Sequence, residues 1–461
     1  MGAELTPARR VAYEILRRTF EDGAWTDRAF TAATMRLELS DRELAQARRL
    51  SYGAVQRRGT SDHLIGVLAG RRGGKVDAAA MAALRLGLYE LLFSEAADHA
   101  AVDQAVELAK EGTRRSGAPH ARARAASGFV NALLRRAAAE RTELLASLDD
   151  STPAGAAVAH SYPEWLAALW WEELGPVEAR LLMAAMNEPA ETALRVNTLR
   201  SDPAHVAADL REARIEVTGP GAGDLLDPAD GLVVDRAGEP VGARIATGEL
   251  VPQSRASQAA VALLDPRPGE RVLDLCAGPG IKTTAIAARI GGSGEVVSIE
   301  ADARRAAEIE ALCARTGASR VRVQVGDATE VDLGSGYDRI LLDPPCSDLG
   351  TLASRPDARW RKSADDGERL ASLQRRLLVR AARALRPGGT LLYSTCTISA
   401  RENEGVAGGL TEYVDDAEAD DLGALHPRLA SRRDSRFLQL LPERDRTTGF
   451  FYARFRRRGS S

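Results

Sequence analysis

Residues 271–284 read RVLDLCAGPGIKTT: a short apolar run, a Gly-Pro-Gly turn, then helix-compatible residues. The run predicts a buried strand and the turn predicts a sharp entry into a helix. The pattern repeats downstream. EVVSI (295–299), RVRVQV (320–325), YDRILL (337–342) and GTLLYS (389–394) are further strand candidates, with helical patterns between them. One of these, DDGERLASLQRRLLVRAARAL (365–385), is closed by Pro387-Gly388-Gly389. Strands and helices alternating at this spacing predict an α/β doubly wound parallel sheet. The end, RFLQLLPERDRTTGFFYARFRRR (436–458), reads instead as two strands around a polar turn, an antiparallel hairpin at the sheet edge.

Working back from residue 271, the texture changes twice. Residues 146–250 mix SYPEWLAALWWEELG (161–175), a helix opened by Pro163, with short strand candidates. These are ALRVNTLR (193–200), ARIEVTG (213–219) and GLVVDRA (231–237), around the helix DPAHVAADLREA (202–213). Residues 6–145 show only helical spacing, as in Val11, Ile15, Leu16 and Phe20, or Met81, Leu84, Leu88 and Leu91, with breaks such as RRGGKVD (71–77). The expected division is therefore an all-α domain over 1–145, a small α+β linking module over 146–250 and a sheet-based domain over 251–461.

Composition narrows the function classes. The 461 residues carry a net charge of −3, so no global basic field advertises a nucleic acid. Residues 1–150 nevertheless hold 23 Lys+Arg against 20 Asp+Glu, and arginine pairs recur there, including Arg48–Arg49, Arg57–Arg58 and Arg71–Arg72. They form either solvated helix faces or an RNA-facing surface. Four separated cysteines, with no CxxC pair, exclude a disulfide framework and a zinc ribbon, and no metal is expected. The N-terminal stretch lacks an apolar signal core, and no apolar run reaches a membrane span. A cytoplasmic, monomeric protein is the expectation.

Ligands in open parallel sheets bind beyond the carboxyl ends of the strands. The five strand candidates deliver, in turn, the stretch Cys276-Ala277-Gly278-Pro279-Gly280-Ile281-Lys282, Glu300, Asp327, Asp343 with Cys346, and Cys396. The first turn fits neither phosphate fingerprint: Thr283 stands at the third glycine position of GxGxxG, and Ile281 precedes Lys282 where a P-loop has glycine. Glu300 is placed to accept ribose hydroxyls. An adenosine ligand without a pyrophosphate fits, and S-adenosyl-L-methionine is the obvious candidate. The cysteines then have a possible task. A thiolate adding to C6 of a flipped-out cytosine makes C5 nucleophilic towards a methyl sulfonium. Asp343 would hydrogen bond near N3. Either Cys346 or Cys396 could attack. Ser399 and Glu402 have capping-box spacing, which predicts a helix beginning just after Cys396 and lowering its pKa.

The motifs together resemble the NOL1/NOP2/Sun family of RNA cytosine-C5 methyltransferases. DLCAGPGIKTT (274–284), LLDPPCSDLGT (341–351) and YSTCTISARENEG (393–405) are similar to three of its motifs in order, preceded by VPQSRASQAA (251–260). LSYGAVQRR (50–58), ALRLGLYELL (83–92), DHAAVDQAVELAK (98–110) and GFVNALLRR (128–136) resemble the NusB-like RNA-binding domain of its bacterial Sun/Fmu (RsmB) type, and ALRVNTLR resembles the start of the linking module. The resemblance implies a class I, Rossmann-like catalytic domain acting on RNA, specifically 16S (small-subunit) ribosomal RNA. It implies that Cys396 is the nucleophile and that Cys346 assists release of the adduct. It implies that Asp343 contacts the base beside the cofactor, and that Cys276 to Lys282, Glu300 and Asp327 hold S-adenosyl-L-methionine. The family usually has glycine at Ile281, Asp-Ala-Pro-Cys at Asp343–Cys346 and often an acid at Ser254.

Two rival functions fit parts of the chain. An amino-group methyltransferase would use the Asp-Pro-Pro-Cys loop, but needs an aromatic where Cys346 stands and has no use for Cys396. A non-catalytic NusB-like RNA-binding factor would leave the strand-end residues without a role. Arg355, Arg359, Trp360 and Arg361, after Cys346, either border an RNA channel or form a solvated loop.

Overall fold

A computed structural model of the chain describes residues 5–35, 37–70 and 76–459. The first four residues, the Arg71–Arg72 pair and most of the RRGGKVD break lie outside the described residues. The chain divides into two compact units. One comprises Met1–Glu188 and Leu352–Lys362, and the other Pro189–Thr351 and Ser363–Ser461.

The first unit is helical throughout its described residues. Its centre is the helix Ala78–Phe93, buried on nearly every side because its sequence is apolar all round. Leu84, Leu88 and Leu91 pack there with Leu16, Leu50, Leu64, Leu108, Val130 and Leu134. The one buried carboxylate of this helix, Glu90, is neutralised by a bidentate pair with Arg9 at 2.7–3.0 Å. The aromatic-rich helix Glu164–Leu174 follows Pro163 as expected and buries Trp170.

Eleven residues from far along the chain complete this unit. Leu352–Lys362 carries a short 3₁₀ turn, Pro356–Trp360. Arg359 is fully buried and donates to the carbonyls of Ser161, Met186 and Leu352 and to Asn187 Oδ1. Its guanidinium stacks 4.0 Å from the Tyr162 ring centre. The Trp360 indole donates to Val55 O, and Arg361 pairs with Asp357 and with the carbonyls of Gly23 and Ala24. These three residues are therefore internal fastenings of the helical unit. Burial removes Arg359 from both a solvated loop and a channel lining, whereas Trp360 and Arg361 are half-buried and Arg355 is exposed.

The second unit has two sheets. In the smaller one, β1 (Thr192–Val196), β2 (Val217–Thr218), β3 (Gly231–Val234) and β4 (Leu250–Pro252) pair antiparallel in the order β2-β3-β1-β4. Its first three strands coincide with the sequence candidates. The helix Glu239–Thr247 and β4 were not expected.

The larger sheet has eight strands. β5 (Arg271–Leu275), β6 (Glu295–Glu300), β7 (Val321–Val325), β8 (Tyr337–Leu342) and β9 (Leu385–Thr395) run parallel. β10 (Ala417–Ala419), β11 (Leu438–Leu440) and β12 (Phe450–Arg457) are antiparallel additions. The order is β10-β12-β9-β8-β5-β6-β7, with β11 paired to β12. Period-2 alternation explains the burial of both faces. Leu273, Leu275, Ile340, Leu342, Leu391 and Tyr393 meet the helix Ala364–Ala384. Val272, Val296, Leu341 and Leu392 face the helices Arg255–Leu264 and Ile281–Ile290. Chain direction across the sheet reverses between β5 and β8, which opens a crevice at their carboxyl ends.

Candidate active site

The loop leaving β5 is shaped around one carboxylate. Ala277 N–H donates to Ile299 O, tying the loop to β6. Gly278 N–H donates to Glu300 Oε2 at 2.9 Å, and Asp302 N–H donates to Oε1 at 3.0 Å. A Cβ on residue 278 would lie 2.3 Å from that Oε2, so only glycine permits the approach. Cys276 and Gly280 adopt positive φ (70° and 93°), and Gly280 hands the chain to the helix that Ile281 begins. Pro279 is exposed between them. The buried Asp274 accepts from Thr283 Oγ1 at 2.5 Å, and burial raises its carboxyl pKa to about 6. Sequence reasoning passed over Asp274, an acid in an apolar strand, which was the available signal.

Lys282 reaches across the crevice. Its Nζ lies 2.5 Å from Asp343 Oδ2, directly after β8, and 5.3 Å from the Phe450 ring centre. Burial pulls the ammonium pKa down, but Asp343 outweighs it and the net shift is upward. Asp343 Oδ1 accepts from Ser394 Oγ at 3.3 Å, as the Leu342–Tyr393 register requires.

The two cysteines singled out from sequence come together. Cys346 Sγ and Cys396 Sγ are 3.3 Å apart, and both face Asp348 Oδ1, at 3.8 and 3.1 Å. Their hydrogen bond to each other, burial, and the Asp348 and Asp343 carboxylates push the Cys396 pKa well above the ordinary thiol value. Cys346 is raised too: its bond to Cys396 pulls down, but burial overrides it. At rest the pair holds thiols. The expected capping helix behind Cys396 does not form. The next helix is only Glu404–Ala407. Glu402, fully buried, turns instead to accept from Ser347 N–H, Ser347 Oγ and Gln374 Nε2. Gln374 also donates to Pro345 O, and Ser347 Oγ lies 2.6 Å from Thr397 Oγ1. The hydrogen bond of Gly350 N–H to Cys396 O closes the same junction. Cys276 is packed at the crevice with a pKa raised by burial, and Cys313 lies in the helix Ala303–Thr316 with its pKa pushed up to about 11. Asp327 stands apart: exposed after β7, it accepts from Thr329 N–H and Oγ1, which lower its pKa.

The donor set suits a ligand without phosphate. The loop's lysine is engaged by Asp343, and Glu300 and Asp327 bring carboxylates, which accept from hydroxyls and ammonium groups. Among the described residues, Cys346, Asp348 and Cys396 are one group whose metal-ligating atoms lie within 4.8 Å. Two thiolates on a tetrahedral zinc sit about 3.8 Å apart. The observed 3.3 Å matches a shared hydrogen-bond triad instead.

Comparison with known proteins agrees along nearly the whole length. Residues 261–456 match the family model described as 16S rRNA methyltransferase RsmB/F, residues 6–139 match the NusB family and residues 162–226 match the RsmF/B-like ferredoxin-like domain. The probable ribosomal RNA small subunit methyltransferase B of Synechocystis is 31% identical over 98% of this chain and 99% of that protein. The protein of the same name in Bacillus subtilis is also 31% identical, over 98% and 99%. The chain belongs to the RsmB/F family of 16S rRNA methyltransferases. Its helical unit contains the NusB-type domain, and its parallel sheet is the methyltransferase domain of RsmB/F proteins. The crystal structure of PH0851 superposes with a TM-score of 0.79 at 25% identity, over 99% of this chain and 100% of that one. Among the described residues no helix is long and apolar enough to cross a membrane.

Proposed function

We propose that this RsmB/F protein transfers a methyl group from S-adenosyl-L-methionine to C5 of a cytosine in small-subunit ribosomal RNA, through a covalent bond between Cys396 and C6. The observation that carries this reading is the pair of thiols at the carboxyl ends of adjacent strands, 3.3 Å apart and beside the Lys282–Asp343 pair. An amino-group methyltransferase has no task for two apposed thiols.

The residues Cys276 to Lys282, Glu300 and Asp327 would hold the cofactor, which supplies an electrophilic sulfonium methyl. The protein's own work concerns the base. Cys396 sulfur forms the bond to C6, and the π pair of C5=C6 shifts onto the ring. Asp343, on taking a proton from the Lys282 ammonium paired with it, donates a hydrogen bond near N3 and stabilises that charge. After C5 is alkylated, its C–H bond breaks, the proton passes to solvent, and the electron pair re-forms C5=C6 and expels Cys396. Cys346, one sulfur diameter away, assists that release. RNA bearing 5-fluorocytosine tests the sequence of events, because fluorine cannot leave as a proton. Wild-type protein should trap this RNA as a denaturant-stable complex, Cys346→Ala should trap unmodified RNA, and Cys396→Ala should trap neither. Continued methylation with no trapping by wild type or Cys346→Ala would sink the covalent reading.

A further inference from the structure

Cys396 must lose a proton before it can attack, and the usual devices for that are missing around it. Its thiol does not lie at a helix N-terminus, since the chain from Thr397 to Asn403 is irregular and the next helix is four residues long. The groups facing it are Cys346 and Asp348 from the loop after β8, Asp343 at the start of that loop and Lys282 from the helix after β5. Lys282 is held by Asp343, and Asp343 by Lys282 and Ser394. Cys346 is itself a thiol, with Glu402 adding to the negative field around it. That leaves Asp348. Its Oδ1 accepts from Cys396 Sγ, the sulfur that must be activated, at 3.1 Å.

Asp348 is held in an unusual backbone state. Its φ is +60°, a left-handed conformation in which aspartate and asparagine are better tolerated than other side-chain-bearing residues. The turn that imposes this is fixed by Thr351, whose N–H and Oγ1 both donate to Asp348 O, at 3.0 and 2.9 Å. Backbone strain of this kind gathers at functional sites, where surrounding structure enforces it. Here it aims one carboxylate oxygen at both sulfurs.

We infer that Asp348 is the general base of the reaction, taking the Cys396 thiol proton as the sulfur attacks C6. The inference rests on the covalent reading above. The step balances: the S–H bond breaks, its electron pair forms the S–C6 bond, the proton moves to Asp348 Oδ1, and the C5=C6 π pair enters the ring. When the adduct breaks, the departing sulfur recovers the proton from Asp348, so the carboxylate is regenerated each turnover. The raised pKa of the resting thiol explains why a base in contact is needed at neutral pH, where a solitary thiolate would be scarce.

The test is single-turnover formation of the 5-fluorocytosine adduct by wild type, Asp348→Asn and Asp348→Ala between pH 6 and 9, with unfolding curves to show that each variant is folded. Asp348→Asn keeps the shape and cannot take the proton. It should slow adduct formation by about 10²–10³-fold, with a rate that climbs roughly tenfold per pH unit as hydroxide replaces the missing base. Formate or acetate, small enough to enter the vacated volume, should accelerate Asp348→Ala and leave wild type unchanged. A merely structural role would move neither the pH slope nor the formate response. If folded Asp348→Asn forms adduct at the wild-type rate and pH profile while Cys396→Ala forms none, Asp348 is not the base although the covalent reading stands. If wild type methylates and forms no adduct, the covalent reading itself has failed.

Discussion

Glu402 accepts hydrogen bonds from both the backbone N–H and the hydroxyl of Ser347, joining the loop after β9 to the loop after β8 across 55 residues of sequence. The carboxylate is fully buried, and Gln374 completes its surroundings at 3.0 Å while holding Pro345 O with the same amide. This junction sets the spacing of the two sulfurs more directly than either strand does.

Removing the Glu402 carboxylate should therefore be costly in two ways. Glu402→Ala leaves Ser347 N–H and one Gln374 proton buried with no acceptor, at about 1–3 kcal/mol for each such group. Denaturant unfolding should show a loss in that range. Adduct formation with 5-fluorocytosine RNA should slow further than the stability loss explains, because Cys346 and Cys396 are no longer held at 3.3 Å.

Lys282 offers a contrast between cofactor binding and base chemistry. Lys282→Met leaves Asp343 without its cation in a largely buried crevice. Adduct formation should fall by at least about tenfold, and saturating S-adenosyl-L-methionine should not restore it. Full recovery at high cofactor concentration would show that Lys282 serves only cofactor affinity.

Asp274 predicts a pH signature in stability. Its folded-state pKa of about 6 lies above the ordinary aspartate value of 3.8, so the native state binds this proton more tightly than the unfolded chain. Its contribution is therefore most favourable below about pH 4 and is lost as pH rises to about 6. Asp274→Asn should stabilise the protein at pH 8 by up to about 3 kcal/mol and change little at pH 4. Urea unfolding at the two pH values measures the difference.

Arg359 tests the fastening of the helical unit. Arg359→Ala deletes four hydrogen bonds and a stacked cation from a fully buried position, a loss of about 3–5 kcal/mol. Arg359→Lys should recover little, since an ammonium cannot serve four acceptors arranged around a planar fork. Limited trypsinolysis should then cut after Arg361 and Lys362 faster than in the wild type, where both are half-buried.

Much of this was legible from local pattern. The five parallel strands, the strand-end residues, the antiparallel return of β12 and the helical first unit all follow from apolar period and turn chemistry. So does the pairing of Cys346 with Cys396, since β8 and β9 are neighbours and both cysteines follow their ends. What escaped were contacts between distant residues. Glu402 has the spacing of a helix cap, yet its buried partners on the neighbouring loop win over the local motif. Asp348 looks like one more surface acid, and only its positive φ and the sulfurs beside it mark it out. Leu352–Lys362 reads as catalytic-domain loop because no sequence period reports which core will receive Arg359.

The seating of Leu352–Lys362 has a consequence for biosynthesis. The helical unit emerges first from the ribosome but lacks eleven of its own residues until Lys362 has been made. At elongation rates of about 5–20 residues per second, that wait lasts roughly nine to thirty-five seconds. During it, Tyr162 and the carbonyls of Ser161 and Met186 have no guanidinium to receive. The first-born part of this enzyme thus waits for most of the second unit to be made, and a chain stopped before residue 352 would release it incomplete.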